Sequence, residues 1–220
     1  MPIQKSTLTF LEGLKQNNDR EWFAAHKREY DTAKEDFTAF TARVMDLCGV
    51  GEKVSGNNAA NMLFRIYRDV RFSTDKSPYK NNLAAVVAPL GKKDELSGIY
   101  IHLQPGNSFL AAGLYAPTPD QLAAARQELD YNGSKLLAIT GTDTFKKYFK
   151  KIEGETLTRP PKGYDANHLY IELLKNKQFF VSTPITDAEW TTDGMEKKIA
   201  EAYKIVQPFN RFFKEAIAGK

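Results

Sequence analysis

The segment RIYRDVRFSTDKSPYK, residues 65–80, concentrates the residue types best suited to chemistry: five basic side chains, two aspartates, three aromatics and two serines in sixteen positions. Arginine presents a planar fork of N–H donors that matches carboxylate or phosphate oxygens two at a time, whereas lysine acts as a mobile point charge. Arg65, Arg68 and Arg71 are therefore candidate clamps for an anion, with Lys76 and Lys80 adding positive field and Asp69 and Asp75 orienting the cations. On an extended chain, side chains two apart share a face about 7 Å apart, so Asp69 would stand beside both Tyr67 and Arg71. Pro78 restricts Ser77 to extended geometry and so helps to hold Tyr79, a candidate for handling a proton.

Three uses of this cluster remain open. It can hold a small anionic ligand bearing phosphate or carboxylate, with possible turnover. It can bind nucleic acid or a protein, because Tyr67, Phe72 and Tyr79 interleave with the cations. Or it is scaffold, a salt-bridge network in which Asp69 and Asp75 merely neutralise their neighbours; if that network were buried, Asp69→Ala would be strongly destabilising.

The elements needed to position these residues are read from periodicity. Met62, Phe64, Ile66, Val70 and Phe72 alternate with Arg65, Tyr67, Asp69 and Arg71, which predicts a strand with one charged face. Arg68 falls on the apolar side and requires a bulge, a sheet edge or a buried partner. Strands are also expected at 83–88, 99–103 and 109–115, with QPGNS as a hairpin turn between the last two and too little chain between the first two for a parallel crossover helix. On the second of these, Tyr100, His102 and Gln104 share a polar face opposite Ile99, Ile101 and Leu103. His102 is thereby a second candidate for proton transfer, provided its strand adjoins the arginines.

Helices enclose this sheet in the sequence. Phe10, Leu11 and Leu14 suggest a short opening helix. A capping box at Asn18 and Glu21 starts a long one, whose apolar stripe is Trp22, His26, Tyr30, Ala33, Phe37, Phe40, Val44 and Leu47, ending near Gly49 and Gly51. Thr118 and Pro119 suit a helix start, a further helical block surrounds 145–149, and RPPKGYD reads as a rigid loop. Trp190, Ile199, Tyr203 and Val206 mark a closing helix that Pro208 should kink or divide. The expected fold is α+β: a mostly antiparallel sheet flanked by N-terminal and C-terminal helices, in one domain covering residues 1–220.

Composition narrows the function classes. The net charge of +4 is mild, and residues 65–80 alone leave a surplus of three positive charges. An anionic small molecule is thus a better-supported partner than nucleic acid. The single Cys48 excludes an internal disulfide and reads as buried packing; with no apolar leader and no membrane-length apolar run, a cytoplasmic location and no membrane partner are expected. His26, His102 and His168 are far apart with no metal-ligand spacing, and Asp165 with His168 forms only a D-x-x-H pair. No phosphate loop, dinucleotide fingerprint or nucleophile elbow is present, so the sequence calls for neither a metal nor a cofactor.

Three blocks, FLEGLKQNNDREWFAAHKREY, RIYRDVRFSTDKSPYK and RPPKGYDANH, resemble the signature blocks of domain-of-unknown-function family 2461, and the similarity extends over almost the whole chain. The order R-x-x-R-D-x-R-F-x-x-D-K-x-x-Y carries most of its specificity. The resemblance implies a single domain in which Arg65, Arg68, Asp69, Arg71, Phe72, Asp75, Lys76 and Tyr79 match the family motif. It transfers no activity.

Overall fold

The computed structural model describes residues 1–51 and 58–219. Packing divides the chain into two compact units, one of Met1–Lys93, Tyr100–Leu110 and Pro184–Glu201, the other of Asp94–Ile99, Ala111–Thr183 and Ala202–Lys220. Four strands, β1 (Leu83–Val87), β2 (Ile99–Leu103), β3 (Ser108–Leu114) and β4 (Phe179–Ile185), form an antiparallel sheet in sequence order. Helices and an antiparallel sheet together make the fold α+β.

In the first unit, α1 (Lys5–Gln16) buries Phe10, Leu11 and Leu14. Its start is tied to Asp36, whose carboxylate accepts from the Gln4 N–H at 2.9 Å and the Thr7 hydroxyl at 2.6 Å. A carboxylate at this end also complements the helix dipole. The long helix expected after it is two helices, α2 (Arg20–Ala25) and α3 (Lys27–Leu47), separated at His26, where φ −105° and ψ 21° leave the helical basin. Asp19, not Asn18, caps α2 by accepting from the Trp22 N–H. The break shifts the buried register: Phe23 is in the core while Trp22, His26 and Tyr30 are only half-buried. The stripe resumes as expected through Ala33, Phe37, Phe40 and Val44, but Leu47 is 44% exposed. Gly49, at φ 71°, takes the left-handed position that ends such a helix without a Cβ penalty. Cys48, expected in the core, is half-buried.

A short helix, α4 (Ala59–Met62), is separated by residues 63–82 from β1, which is buried along its whole length, and two 3₁₀ turns, Gly91–Lys93 and Glu95–Ser97, join β1 to β2. On β2 the burial alternates as expected, with Ile99, Ile101 and Leu103 inside. The unit is completed by α8 (Asp187–Trp190), named in chain order, whose Trp190 is fully buried and meets Phe40 edge-on at 5.6 Å.

In the second unit, α5 (Pro119–Thr140) starts from a complete capping box between Thr118 and Gln121, with Pro119 in the first turn. It is followed by α6 (Asp143–Tyr148) and α7 (Ile171–Leu174). The last helix, α9 (Met195–Ala218), passes through Pro208 without dividing. Its Phe209 and Phe213 pack on Phe145 and Phe179 at 5.8 and 5.0 Å. Large aromatic surfaces of this kind are the main source of core stability. β4 was not expected from the sequence. Among the described residues, no helix is long and apolar enough to cross a membrane.

Candidate functional site

The arginine-rich segment is extended, but it is not a regular strand. Met62 ends α4, and residues 63–80 form a two-legged arm held by isolated antiparallel bridges, Leu63 to Ala85 and Tyr67 to Tyr79. Within the arm, the Arg68 N–H donates to the Pro78 carbonyl at 2.9 Å and the Lys80 N–H to the Ile66 carbonyl at 2.7 Å. The chain pairs with itself at its base and opens into a loop at its tip, which is why the alternating pattern stops short of a continuous ladder. Asn18 clamps the outer edge: its side-chain oxygen accepts from the Tyr79 N–H at 3.1 Å and its amide donates to the Tyr79 carbonyl at 3.0 Å.

At the tip, the predicted pairing of Asp69 with Arg71 is present as a two-point contact, with Nε to Oδ1 at 2.9 Å and Nη2 to Oδ2 at 2.7 Å. The Arg71 guanidinium holds the Asp69 carboxyl below its ordinary range, with a backbone N–H assisting. Arg68 resolves its awkward register by donating to Asp75 and to the Ser77 hydroxyl. That guanidinium, followed by the Ser77 N–H and hydroxyl, pulls the Asp75 carboxyl far down. Lys76 donates to the Val70 carbonyl at 3.0 Å. Arg68, Asp69, Arg71, Asp75 and Lys76 therefore bind one another and their own backbone. Both pairs are solvent-accessible, with Asp69 and Asp75 exposed, so the scaffold they form is a surface network and not a buried one.

Tyr79 points the other way. It is 6% exposed, its ring stacks on Phe23 at 4.0 Å and 14°, and burial raises its phenol pKa. The proton stays on this hydroxyl throughout the neutral range.

The remaining residues, Arg65, Lys80 and His102, come together beside the polar face of β2. Lys80 Nζ lies 5.6 Å from the Phe64 ring centroid and Lys92 Nζ lies 5.7 Å from the same centroid. Lys92 also donates to the Leu63 carbonyl at 2.8 Å. Burial and then the charge of Arg65 push the Lys80 ammonium pKa down. Among the described residues, none of these three cations has an ion-pair partner. Tyr100 packs edge-on against Phe64 at 5.9 Å, and its hydroxyl meets His102 Nδ1 at 3.0 Å. His102 Nε2 contacts Gln104 Oε1 at 2.9 Å, and the imidazole stacks on Phe109 at 4.5 Å. Burial chiefly lowers the His102 pKa; Gln104 opposes this and Lys80 adds to it, leaving the ring neutral.

Sequence reasoning missed Lys92, Phe64 and Asn82 as members of this face. Lys92 lies in a 3₁₀ turn with no periodic relation to Lys80. Phe64 was assigned to an apolar stripe. The other histidines do not join. His26 stacks on Trp22 at 3.9 Å, and His168 binds Asp130 through Nε2 at 2.9 Å while Nδ1 accepts from the Tyr170 N–H. Asp165 serves instead as an acceptor for the Asn167 N–H. Among the described residues, no group of three or more histidine, cysteine or acidic side chains is placed to hold a metal ion.

Comparison with curated proteins and with solved structures returns no match. Residues 6–212 do match a family model, across the arm, the sheet and most of α9 alike, and the chain belongs to the family described as Conserved hypothetical protein (DUF2461).

Proposed function

We propose that the chain binds a small anionic molecule, bearing phosphate or carboxylate, beside the polar face of β2. Lys80, Lys92 and Arg65 are the binding cations, and Tyr100, His102 and Asn82 are the neutral polar groups beside them. The single observation that carries this reading is a group of cations with no ion pair among the described residues. Two ammoniums share one aromatic ring, a guanidinium lies near enough to depress the Lys80 pKa, and the carboxylate that feels this guanidinium, Asp69, is itself held by Arg71. Like charges gathered without a counter-charge cost the free protein stability, and a bound anion removes that cost. Arg68, Asp69, Arg71, Asp75 and Lys76 have a supporting role in this account, holding the arm from which Arg65 and Lys80 project.

The test is a thermal-shift panel of phosphorylated and carboxylated small molecules at low ionic strength, run on the wild type and on a Lys80→Met, Lys92→Met double variant. Stabilisation of the wild type by at least one class, lost in the double variant, is expected. Unaltered melting across both classes would count against the site.

A second reading has its own observation. Phe72 is 96% exposed at the tip of the arm, with the Arg71 guanidinium 5.8 Å from its ring centroid and Tyr67 half open nearby in the chain. An exposed aromatic beside cations suits stacking on a single-stranded nucleic acid. Binding of labelled oligonucleotides that weakens steeply with salt, and fails with Phe72→Ala, would support it. Lack of binding at low ionic strength removes it.

A further inference from the structure

The outward side chains of β2 form a continuous hydrogen-bonded row. Tyr100 and His102 on β2 and Gln104 just past its end occupy alternate positions, which brings successive side chains within reach of each other. Gln104 is fixed by its backbone, whose N–H donates to the Ser108 hydroxyl at 2.9 Å while its carbonyl accepts from that hydroxyl at 2.8 Å. Its Oε1 can only accept, so His102 Nε2 carries the ring proton and Nδ1 is the acceptor for the Tyr100 hydroxyl. The imidazole cannot rotate freely, being stacked on Phe109 with an interplanar angle of 14°. Tyr100, at the head of the row, packs on Phe64, the ring that also carries Lys80 and Lys92.

We propose that Tyr100, His102 and Gln104 are a proton relay acting on the anion held by Lys80, Lys92 and Arg65; the proposal rests on the anion-binding reading above. A hydroxyl or acidic C–H of the bound molecule gives its proton to Tyr100 Oη as the tyrosine's own proton passes to His102 Nδ1. One bond to hydrogen breaks in the substrate, one O–H is exchanged at Tyr100, and one N–H forms. The substrate gains one negative charge and His102 one positive charge. Gln104 Oε1 keeps its hydrogen bond from Nε2 throughout, so the imidazolium has an acceptor waiting. The reverse sequence returns the proton. The reaction class is proton abstraction from, or return to, an anionic substrate.

The groups facing His102 are Tyr100 and Gln104 from its own strand, Asn82 at 3.5 Å and Lys80 from the chain leading into β1, and Phe109 from β3. Among the described residues, none of these is a carboxylate. With no ligand, Lys80 opposes the imidazolium; with an anion bound beside Lys80, the sign of that field reverses and the charged ring becomes favourable. The relay is thus available when its substrate is present.

The experiment is an NMR titration of the histidine side chains in the full chain, with and without inorganic sulfate, whose charge is constant from pH 5 to 8. His102→Gln assigns the resonance, and the dispersion of the amide spectrum reports whether each variant is folded. Sulfate is expected to raise the His102 midpoint, and Tyr100→Phe to change the His102 Nδ1 signal in a protein whose amide spectrum is otherwise that of the folded wild type. Sulfate-dependent melting with an unmoved His102 midpoint, or a Nδ1 signal indifferent to Tyr100→Phe, overturns the relay and leaves the anion site standing. No sulfate effect on melting or on any resonance overturns the anion site, and the relay with it.

Discussion

Replacing Lys80 by Met removes one charge while keeping an unbranched stem over Phe64, so it isolates the electrostatic contribution of the ammonium. An anion in contact with Lys80 would have its charge about 4 Å away, where attraction is about 1 kcal/mol in bulk water and about 4 kcal/mol at an effective dielectric of 20. Lys80 is half-buried, between these limits. A loss of about 2 kcal/mol follows, or roughly 30-fold in Kd. Stability should respond differently. Losing the cation over the ring costs about 0.5–1 kcal/mol. Both ammoniums lie within 6 Å of one centroid, so they are at most roughly 11 Å apart, and relief of their repulsion returns at least about 0.4 kcal/mol in water and at least about 1.5 kcal/mol at a dielectric of 20. The two effects nearly cancel. Calorimetric titration with inorganic pyrophosphate at low salt, alongside urea unfolding, measures both quantities. Arg71→Met is the control: its charge is already held by Asp69, so anion affinity should stay within about twofold. Equal affinity losses for Lys80→Met and Arg71→Met, or none for Lys80→Met, would refute the assignment of the free charge to this face.

Other outcomes follow from the same coordinates. Asp69→Ala leaves the melting temperature unchanged within error, since its pair with Arg71 is open to solvent; a marked drop in a thermal melt would show the arm to be a buried scaffold after all. Gly113→Ala destabilises by at least about 2 kcal/mol in chemical denaturation, because φ is +112° and the new Cβ would lie 2.4 Å from the Phe179 carbonyl oxygen. Glu189 is held down to about pKa 2 by Lys198 and then by the Thr186 N–H, so its folded value is depressed. Its contribution is complete above the unfolded carboxylate value and fades as pH falls from about 4.5 towards 2. With a side chain 36% exposed, screening reduces this to about 1 kcal/mol or less, and Glu189→Gln should flatten that part of an acid unfolding curve.

The sequence was most informative where one residue type decides one physical question. Alternation placed Ile99, Ile101 and Leu103 inside β2 and Tyr100, His102 and Gln104 outside, and Thr118 with Pro119 located the start of α5. It was least informative where two patterns coincide. The apolar stripe of α2 and α3 continues across His26 in sequence, yet the backbone turns there and exchanges Trp22 for Phe23 in the core. β4 contains the strand-favouring run Phe179, Phe180 and Val181, a usable signal, but Pro184 near its end obscured it. In the arm, the charges were recognised but not their pairing. Asp75 could be expected to neutralise a cation, but only the folded loop shows that Arg68 takes it, that Arg71 takes Asp69, and that Arg65 shares only the field of Asp69. Lys92 reaches Phe64 through a contact between segments with no fixed spacing, a relation that no local pattern encodes.

The amide of Asn18 has a consequence for how copies of this chain meet. By giving and receiving a hydrogen bond at Tyr79, it occupies the outward N–H and C=O of a leg whose neighbours, Pro78 and Lys80, bond inward. An open β-edge invites a second polypeptide to add itself as another strand, the first step of runaway association. One side chain, sixty-one positions away along the chain, fills that vacancy with a surrogate peptide group and leaves an incoming strand nothing to zip onto.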